Sequence, residues 1–248
     1  MTLYPPSVRS TTVIRRRSAV NGTSAAFMRC FCRRSQSDTA ATIAVSVGSP
    51  SSFSSLPSTL VHSAAAEYPP ADILSKGLLS GMNTVGEKFR KNEIFVPEVL
   101  LVSRAMKAGM DALRPYFPTG NIPSLGTVVL GTVKGDFHDI GKELVKIMLE
   151  GKGLRVIDLG MDVPAETFVR AAKENSAQVI CCSCLLSSGG GEVRKITALC
   201  KKAGIRDNVK IMIGGAPITD SFCRETGADA YTSNAADCAE KALAFCAG

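Results

Sequence analysis

Residues 127–150 read TVVLGTVKGDFHDIGKELVKIMLE, and this stretch decides the fold. Thr127–Thr132 is a continuous apolar run of strand length, the pattern of a strand buried on both faces. A polar loop follows, then a helical pattern near Ile140–Glu150. Working outward, the same rhythm repeats to the end of the chain. Arg155–Asp158, Val179–Ser183, Lys210–Ile213 and a short segment around Ala230-Tyr231 read as strands. Helical stretches are predicted near Pro164–Asn175, Glu192–Ala203, Ile218–Thr226 and Asp237–Ala247. Five strands alternating with helices imply an α/β fold with a five-stranded parallel sheet of flavodoxin-like (Rossmann-like) type over residues 123–248. In such sheets the ligand lies outside the carboxyl ends of the strands.

Upstream, residues 71–117 carry a helical pattern. Leu74, Leu78, Met82, Val85 and Phe89 recur at spacings of four and three, one face of a helix. Asn92 to Val96 breaks it, and Pro97 with Glu98 has the form of the first turn of a second helix. Val99, Ser103, Met106, Met110 and Leu113 mark its buried face, and Pro115 ends it. Two helices joined by a short loop cannot hold a core alone, so they must pack on something.

The 248 residues carry a formal charge of +7, but residues 1–66 contribute +6 of it, with seven Arg, no Lys and Asp38 as the one acid. The remainder is close to neutral, which gives no sign of a nucleic-acid surface. Residues 1–66 also hold 21 Ser or Thr and no apolar period, and Ser51 to Ser58 is of low complexity. The expectation is a disordered basic tail. Its composition fits an organelle transit peptide, or equally a stretch lying outside the natural start or frame. No run approaches the ~18 apolar residues of a membrane span. The expected setting is therefore the cytoplasm, or an organelle such as the mitochondrion if the tail is a transit peptide. Seven of nine cysteines lie in residues 181–248, the usage of a reducing compartment. Cys181, Cys182 and Cys184 sit in an apolar strand whose side chains alternate between faces, so they read as core residues and not a zinc site.

The chemistry is expected in the loop after the first strand, Gly135-Asp136-Phe137-His138-Asp139-Ile140-Gly141. His138 is the only histidine in the folded part and stands at the carboxyl edge. Asp136, two residues earlier, could accept a proton from its imidazole, an arrangement that supports metal-ligating histidines. A loop histidine beside a helix-capping aspartate would look the same. Gly135 permits a tight turn, and Gly141 lets the chain approach a bulky ligand. Two more strand ends carry small residues. Ser183-Cys184-Leu185 leads through Leu186, Ser187 and Ser188 into Gly189-Gly190-Gly191, and Gly214-Gly215 closes the fourth strand. Together they predict a slot in the sheet edge that admits a long flat group.

Asp-x-His-x-x-Gly, then 41 residues, Ser-x-Leu, then 28 residues, Gly-Gly resembles the signature of the cobalamin-binding domain shared by methionine synthase and corrinoid methyl-carrier proteins. The stretches from Gly131 to Asp136 and from Val156 to Gly160 are similar to the small corrinoid subunits of methylamine and methanol methyltransferase systems. This resemblance implies cobalamin as cofactor, with His138 as lower axial ligand to cobalt and Asp136 as its hydrogen-bond partner. It further implies that the displaced nucleotide tail enters the slot, bonded by Ser183, lined by Leu185 and Ser187, given room by Gly214 and Gly215, with Tyr231 near the floor. Val133, Phe137, Asp139 and Ile140 belong to the same implied cofactor site. The function implied is a methyl carrier on cobalt. Its expected partners are separate methyltransferase subunits for donor and acceptor and a reductive reactivation partner, with neither nucleic acid nor membrane.

Departures from the family are visible. Methionine synthase extends the His–Asp pair with a serine six residues past the Ser of Ser-x-Leu, where this chain has Gly189. The relay is then shorter unless Ser187 or Ser188 substitutes, and three consecutive glycines imply a more mobile loop. The family cap is a four-helix bundle, of which residues 71–117 look like only the last two helices. The alternatives are the cobalamin subunit of an adenosylcobalamin-dependent mutase, against which the helical segment argues, a cobalamin-sensing regulatory module, or a flavodoxin-like domain without corrinoid.

Overall fold

A computed structural model describes residues 56–118, 121–186 and 189–247. The expected tail, apart from residues 56–66, lies outside the described residues. So do Ser187 and Ser188.

Among the described residues, three helices longer than a single turn precede the sheet: α1 (Leu56–Ala64), α2 (residues 70–90) and α3 (Val96–Leu113). The first corrects the expected boundary, because residues assigned by composition to a tail form a helix. Val61 and Ala64 supply its buried side, too short an apolar period to stand out among serines. Pro70 occupies the first turn of α2, where its missing N–H costs nothing. The middle of α2, Ile73–Leu79, is π-helical, and its wider turn divides the apolar face between two cores. Ile73, Leu74 and Leu78 pack with Val61, Ala64, Ala112 and Leu113. Met82 and Val85 pack toward the sheet with Val99 and Val102. Helix α3 starts where Glu98 accepts a hydrogen bond from the Phe95 N–H at 3.0 Å. Its fully buried line is Val99, Val102, Ala105, Gly109, Ala112 and Leu113, while the expected Ser103, Met106 and Met110 flank it half-buried. Small residues prevail because neighbours approach closely: a Cβ at Gly109 would lie 2.8 Å from Leu78 Cδ2.

The sheet contains β1 (Thr127–Thr132), β2 (Arg155–Asp158), β3 (Val179–Ser183), β4 (Lys210–Gly214) and β5 (Ala230–Tyr231). All pairs are parallel and the order is β2-β1-β3-β4-β5, as expected of a flavodoxin-like fold. The connecting helices are α4 (Ile140–Gly151), α5 (Ala165–Glu174), α6 (Gly190–Lys202) and α7 (Asp220–Thr226), and α8 (Ala235–Ala247) closes the chain. Strand alternation sends Val129, Ile180, Cys182, Ile211 and Ile213 to one core with Phe168, Val193 and Ile196. Val128, Leu130, Val179, Cys181 and Met212 face the other, with Met148, Leu149, Ala239 and Ala242. Cys181 and Cys182 thus lie in opposite layers. Each large side chain so buried contributes about 1.5–3 kcal/mol. Gly131 stands within β1 because the Phe168 ring lies where its side chain would be. Among the described residues, no helix is long and apolar enough to cross a membrane.

Candidate functional site

The switch point of the sheet lies between β1 and β3, whose chain crossovers run to opposite sides. Register places three strand ends in one row: Thr132 pairs with Ser183, and Ser183 with Gly214. The sequence-marked positions of the first, third and fourth strands therefore share one edge.

Asp136 is the hub of that edge. Its side chain is 1% exposed, and Oδ1 accepts from the His138 backbone N–H at 3.0 Å and from imidazole Nδ1 at 2.6 Å. Oδ2 accepts from the Leu185 N–H at 2.6 Å, so one carboxylate joins the β1–α4 and β3–α6 loops. Burial pushes the Asp136 carboxyl up. The N–H groups of His138 and Leu185 outweigh it and hold the group below the ordinary carboxylate range. With the ionised Asp136 on Nδ1, that nitrogen is the donor, and Nε2 lies on the far side of the ring with no partner among the described residues. The His138 side chain is 55% exposed.

Around His138 the surface changes character. Phe137, Ile140 and Leu186 expose large apolar side chains at the same edge, 69%, 81% and 41% accessible. Gly135, with φ +83°, makes the turn, and a Cβ there or at Gly141 would meet nothing within 4 Å. Val133 is buried beneath, its N–H bonded to the Ser183 carbonyl at 3.1 Å. The Asp139 side chain is partly exposed at the start of α4. An imidazole whose Nε2 has no hydrogen-bond partner among the described residues, apolar neighbours and unobstructed glycines are a donor set that would suit a metal-bearing macrocycle held through His138.

The slot differs from expectation. At Gly215, φ is +147° and a Cβ would overlap the Cys184 carbonyl. That glycine permits contact between two backbones, with the Cys184 N–H also bonded to the Gly214 carbonyl at 2.9 Å. Gly214 is less confined: its nearest neighbour for a Cβ is the Thr232 carbonyl at 3.5 Å. Tyr231, paired with Ile213 in register, packs half-buried against the α5–α6 core. At Gly189, the place of the family's additional serine, a side chain would overlap the Cys184 thiol and crowd Val133. Gly190 and Gly191 lie in the first turn of α6, with Gly190 packed under Phe222, contrary to the expected mobile triplet.

Several contributors were not singled out from sequence. Thr132, fully buried, donates its hydroxyl to the His138 carbonyl at 2.9 Å. Asp162 accepts the Gly135 N–H at 2.7 Å and donates its own N–H to the Asp136 carbonyl at 3.1 Å. A polar residue ending an apolar strand was the available signal for Thr132. For Asp162 there was none beyond its place at a strand's carboxyl end.

Fold and site together define a cobalamin-binding module with a helical segment before it. Family models described as "B12 binding domain" match residues 126–243 and, separately, residues 58–114. A dimethylamine corrinoid protein of Methanosarcina acetivorans is 44% identical over 183 residues, 73% of this chain and 86% of that protein. A trimethylamine corrinoid protein of the same organism is 43% identical, covering 73% and 84%. The chain belongs to this family of corrinoid proteins. Among solved structures, a cobalamin-binding protein from Desulfitobacterium hafniense superposes with TM-score 0.65 and 29% identity, over 80% of this chain and 99% of that one. A methanol:cobalamin methyltransferase complex from Methanosarcina barkeri gives TM-score 0.70 at 22% identity, over 94% and 95%, a likeness of fold.

Proposed function

We propose that this protein carries a methyl group on a bound corrinoid between two methyltransferases, one taking the methyl from a methylamine and one passing it to an acceptor. A bound corrinoid would supply a cobalt centre able to take up a methyl group and give it up again. His138 would hold the metal of that group through Nε2. Asp136, fixed by the Leu185 N–H as well as by His138, holds the ring's orientation and strengthens its donor nitrogen. Ser183, Leu185 and Gly214, at the ends of β3 and β4, would hold the nucleotide tail, while Gly215 serves the contact between the two backbones. The methylamine substrate class rests on the names of the 43–44% identical relatives. Partner methyltransferases supply substrate activation, and a reductive partner restores the active cofactor.

The observation that carries this reading is the 2.6 Å Asp136–His138 contact, which leaves Nε2 free at the carboxyl edge. The test is the absorption spectrum of the full chain after loading with hydroxocobalamin and removal of unbound cofactor. About one equivalent of retained chromophore is expected, with its spectrum and its cobalt(II) electron spin resonance altered in His138→Ala. A folded protein without chromophore, or a variant with an unchanged spectrum, overturns the reading.

A further inference from the structure

Lys142 is an unusual side chain for the first turn of a helix. It is 1% exposed, and its ammonium meets three carboxylates: Asp139 at 3.0 Å, Glu143 at 2.7 Å and Asp158 at 2.9 Å. Four carboxylate oxygens surround its three donors, both oxygens of Asp158 among them, so no N–H is left unused. Burying an ion in this way is seldom a route to stability, because desolvation offsets most of the attraction and an apolar side chain of equal volume does as well. Stability therefore does not account for an ammonium here. Its partners do.

Asp139 directly follows His138 in the chain. Asp158 ends β2, and its Oδ1 also accepts the Gly160 N–H at 3.0 Å, shaping a turn with φ +82°. The Gly160 carbonyl accepts the Thr132 N–H at 2.9 Å, and the Thr132 hydroxyl donates to the His138 carbonyl. Two chains of contacts thus run from one ammonium to the His138 backbone, one through Asp139 and one through Asp158, Gly160 and Thr132. Lys146 also reaches Asp158, at 2.9 Å, but is 29% exposed and has no contact to Asp139. The attraction of the three carboxylates outweighs burial and raises the affinity of Lys142 for its proton, so the ammonium persists.

We infer that Lys142 is a positioning residue, a buried ionic strut that fixes the β1–α4 loop against the end of β2 so that His138 stands ready for the metal. The role in ligation rests on the function proposed above; the bracing of the loop does not. The strut removes freedom that the loop would otherwise lose on binding.

Lys142→Met keeps volume and helix propensity while removing the cation. In the cofactor-free protein, amide hydrogen exchange at residues 135–139 is expected to rise about tenfold in this variant, with exchange in β3 and β4 unchanged. Lys146→Met is the control and leaves the loop's exchange as it was. If Lys142→Met does not fold, Asp139→Ala severs the same strut at its partly exposed end, and the same rise is expected. Unchanged exchange in the folded variant, or an equal rise throughout the sheet, overturns the inference. The second readout uses full-length protein labelled with ¹⁵N-histidine and loaded with cobalamin. The fraction of cobalt(II) showing ¹⁵N coupling is expected to fall severalfold in Lys142→Met, while cobalamin affinity changes less than threefold. A variant that loses affinity yet keeps the wild-type coupled fraction shows Lys142 to be merely structural and sinks the inference. Absence of ¹⁵N coupling in the wild-type protein would instead refute His138 as ligand, and the exchange result would still decide the strut.

Discussion

Glycines at the carboxyl edge of this sheet serve two opposite purposes, and the contrast separates the parts of the site that face a ligand from those that face the protein. In the β1–α4 loop and the first turn of α4, Gly135 and Gly141 look onto open space. On the β3–β4 side, Gly189 and Gly215 are crowded by Cys184, so there the missing side chain lets protein touch protein. The first loop is an open seat with exposed Phe137, His138 and Ile140. The second is a packed wall whose Leu185 N–H reaches across to Asp136. The site is the line where seat and wall meet, and Asp136 is the residue that belongs to both.

Gly215→Val attacks the wall and should have the largest effect. Its backbone conformation is one that a β-branched residue rarely adopts, and the new side chain has only Cys184 and Leu185 backbone to displace. Movement of Leu185 withdraws its N–H from Asp136. A loss above about 4 kcal/mol is expected by denaturant unfolding of the cofactor-free protein. Near-native stability with lost cobalamin affinity would show instead that Gly215 borders open space. Asp136→Ala is next. It strands the half-buried N–H groups of His138 and Leu185, at about 1 kcal/mol for each lost hydrogen bond. The loaded variant should also lose the histidine-dependent spectrum. A spectral loss without destabilisation would mean that Asp136 serves the imidazole alone and does not join the two loops.

How much of this contrast the sequence revealed depends on what each residue type signals. The strands were legible because a parallel sheet buried on both faces demands apolar runs, and β1 to β5 begin where the runs begin. His138 and Asp136 were legible because few side chains act as metal ligands or their supports. Helix α1 was hidden, since Val61 and Ala64 give it barely two turns of pattern in a serine-rich stretch. The distinction between open and crowded glycines was hidden too. A glycine records that no side chain fits or that none is needed, and only coordinates say which. Lys142 reads as a solvated helix residue until Asp158, 16 positions away, is brought beside it.

Acid titration sharpens the comparison at the far end of the seat. Burial pushes the Asp158 carboxyl up, but Lys142, the Gly160 N–H and Lys146 prevail and hold it well below the usual range. A carboxylate depressed in the folded state contributes stability that is fully present above its unfolded value, about 3.9, and is lost as pH falls toward the folded value. Unfolding free energy should therefore decline below about pH 4, and Asp158→Asn should flatten that decline. The variant's stability is expected to be lower at neutral pH and to converge on the wild type in acid. Parallel curves for the two proteins would show that Asp158 draws no pH-dependent stability from its partners.

Gly141→Ala should have the smallest effect on folding and gives the clearest division between seat and wall. Gly141 is the second residue of α4, and a methyl group there meets no atom within 4 Å. Glycine costs a helix interior about 0.5–1 kcal/mol relative to alanine, so the cofactor-free variant should be as stable as the wild type or slightly more so. Yet the methyl group projects from the first turn of α4, next to the loop that carries His138, into space that the proposed corrin must share. Cobalamin affinity, measured by retained absorbance across a dilution series, should fall about tenfold or more while the melting temperature holds or rises. A variant unchanged in both respects would move the corrin away from Gly141. A variant that binds normally but unfolds earlier would place Gly141 among the crowded glycines, and the open seat would shrink to the turn at Gly135.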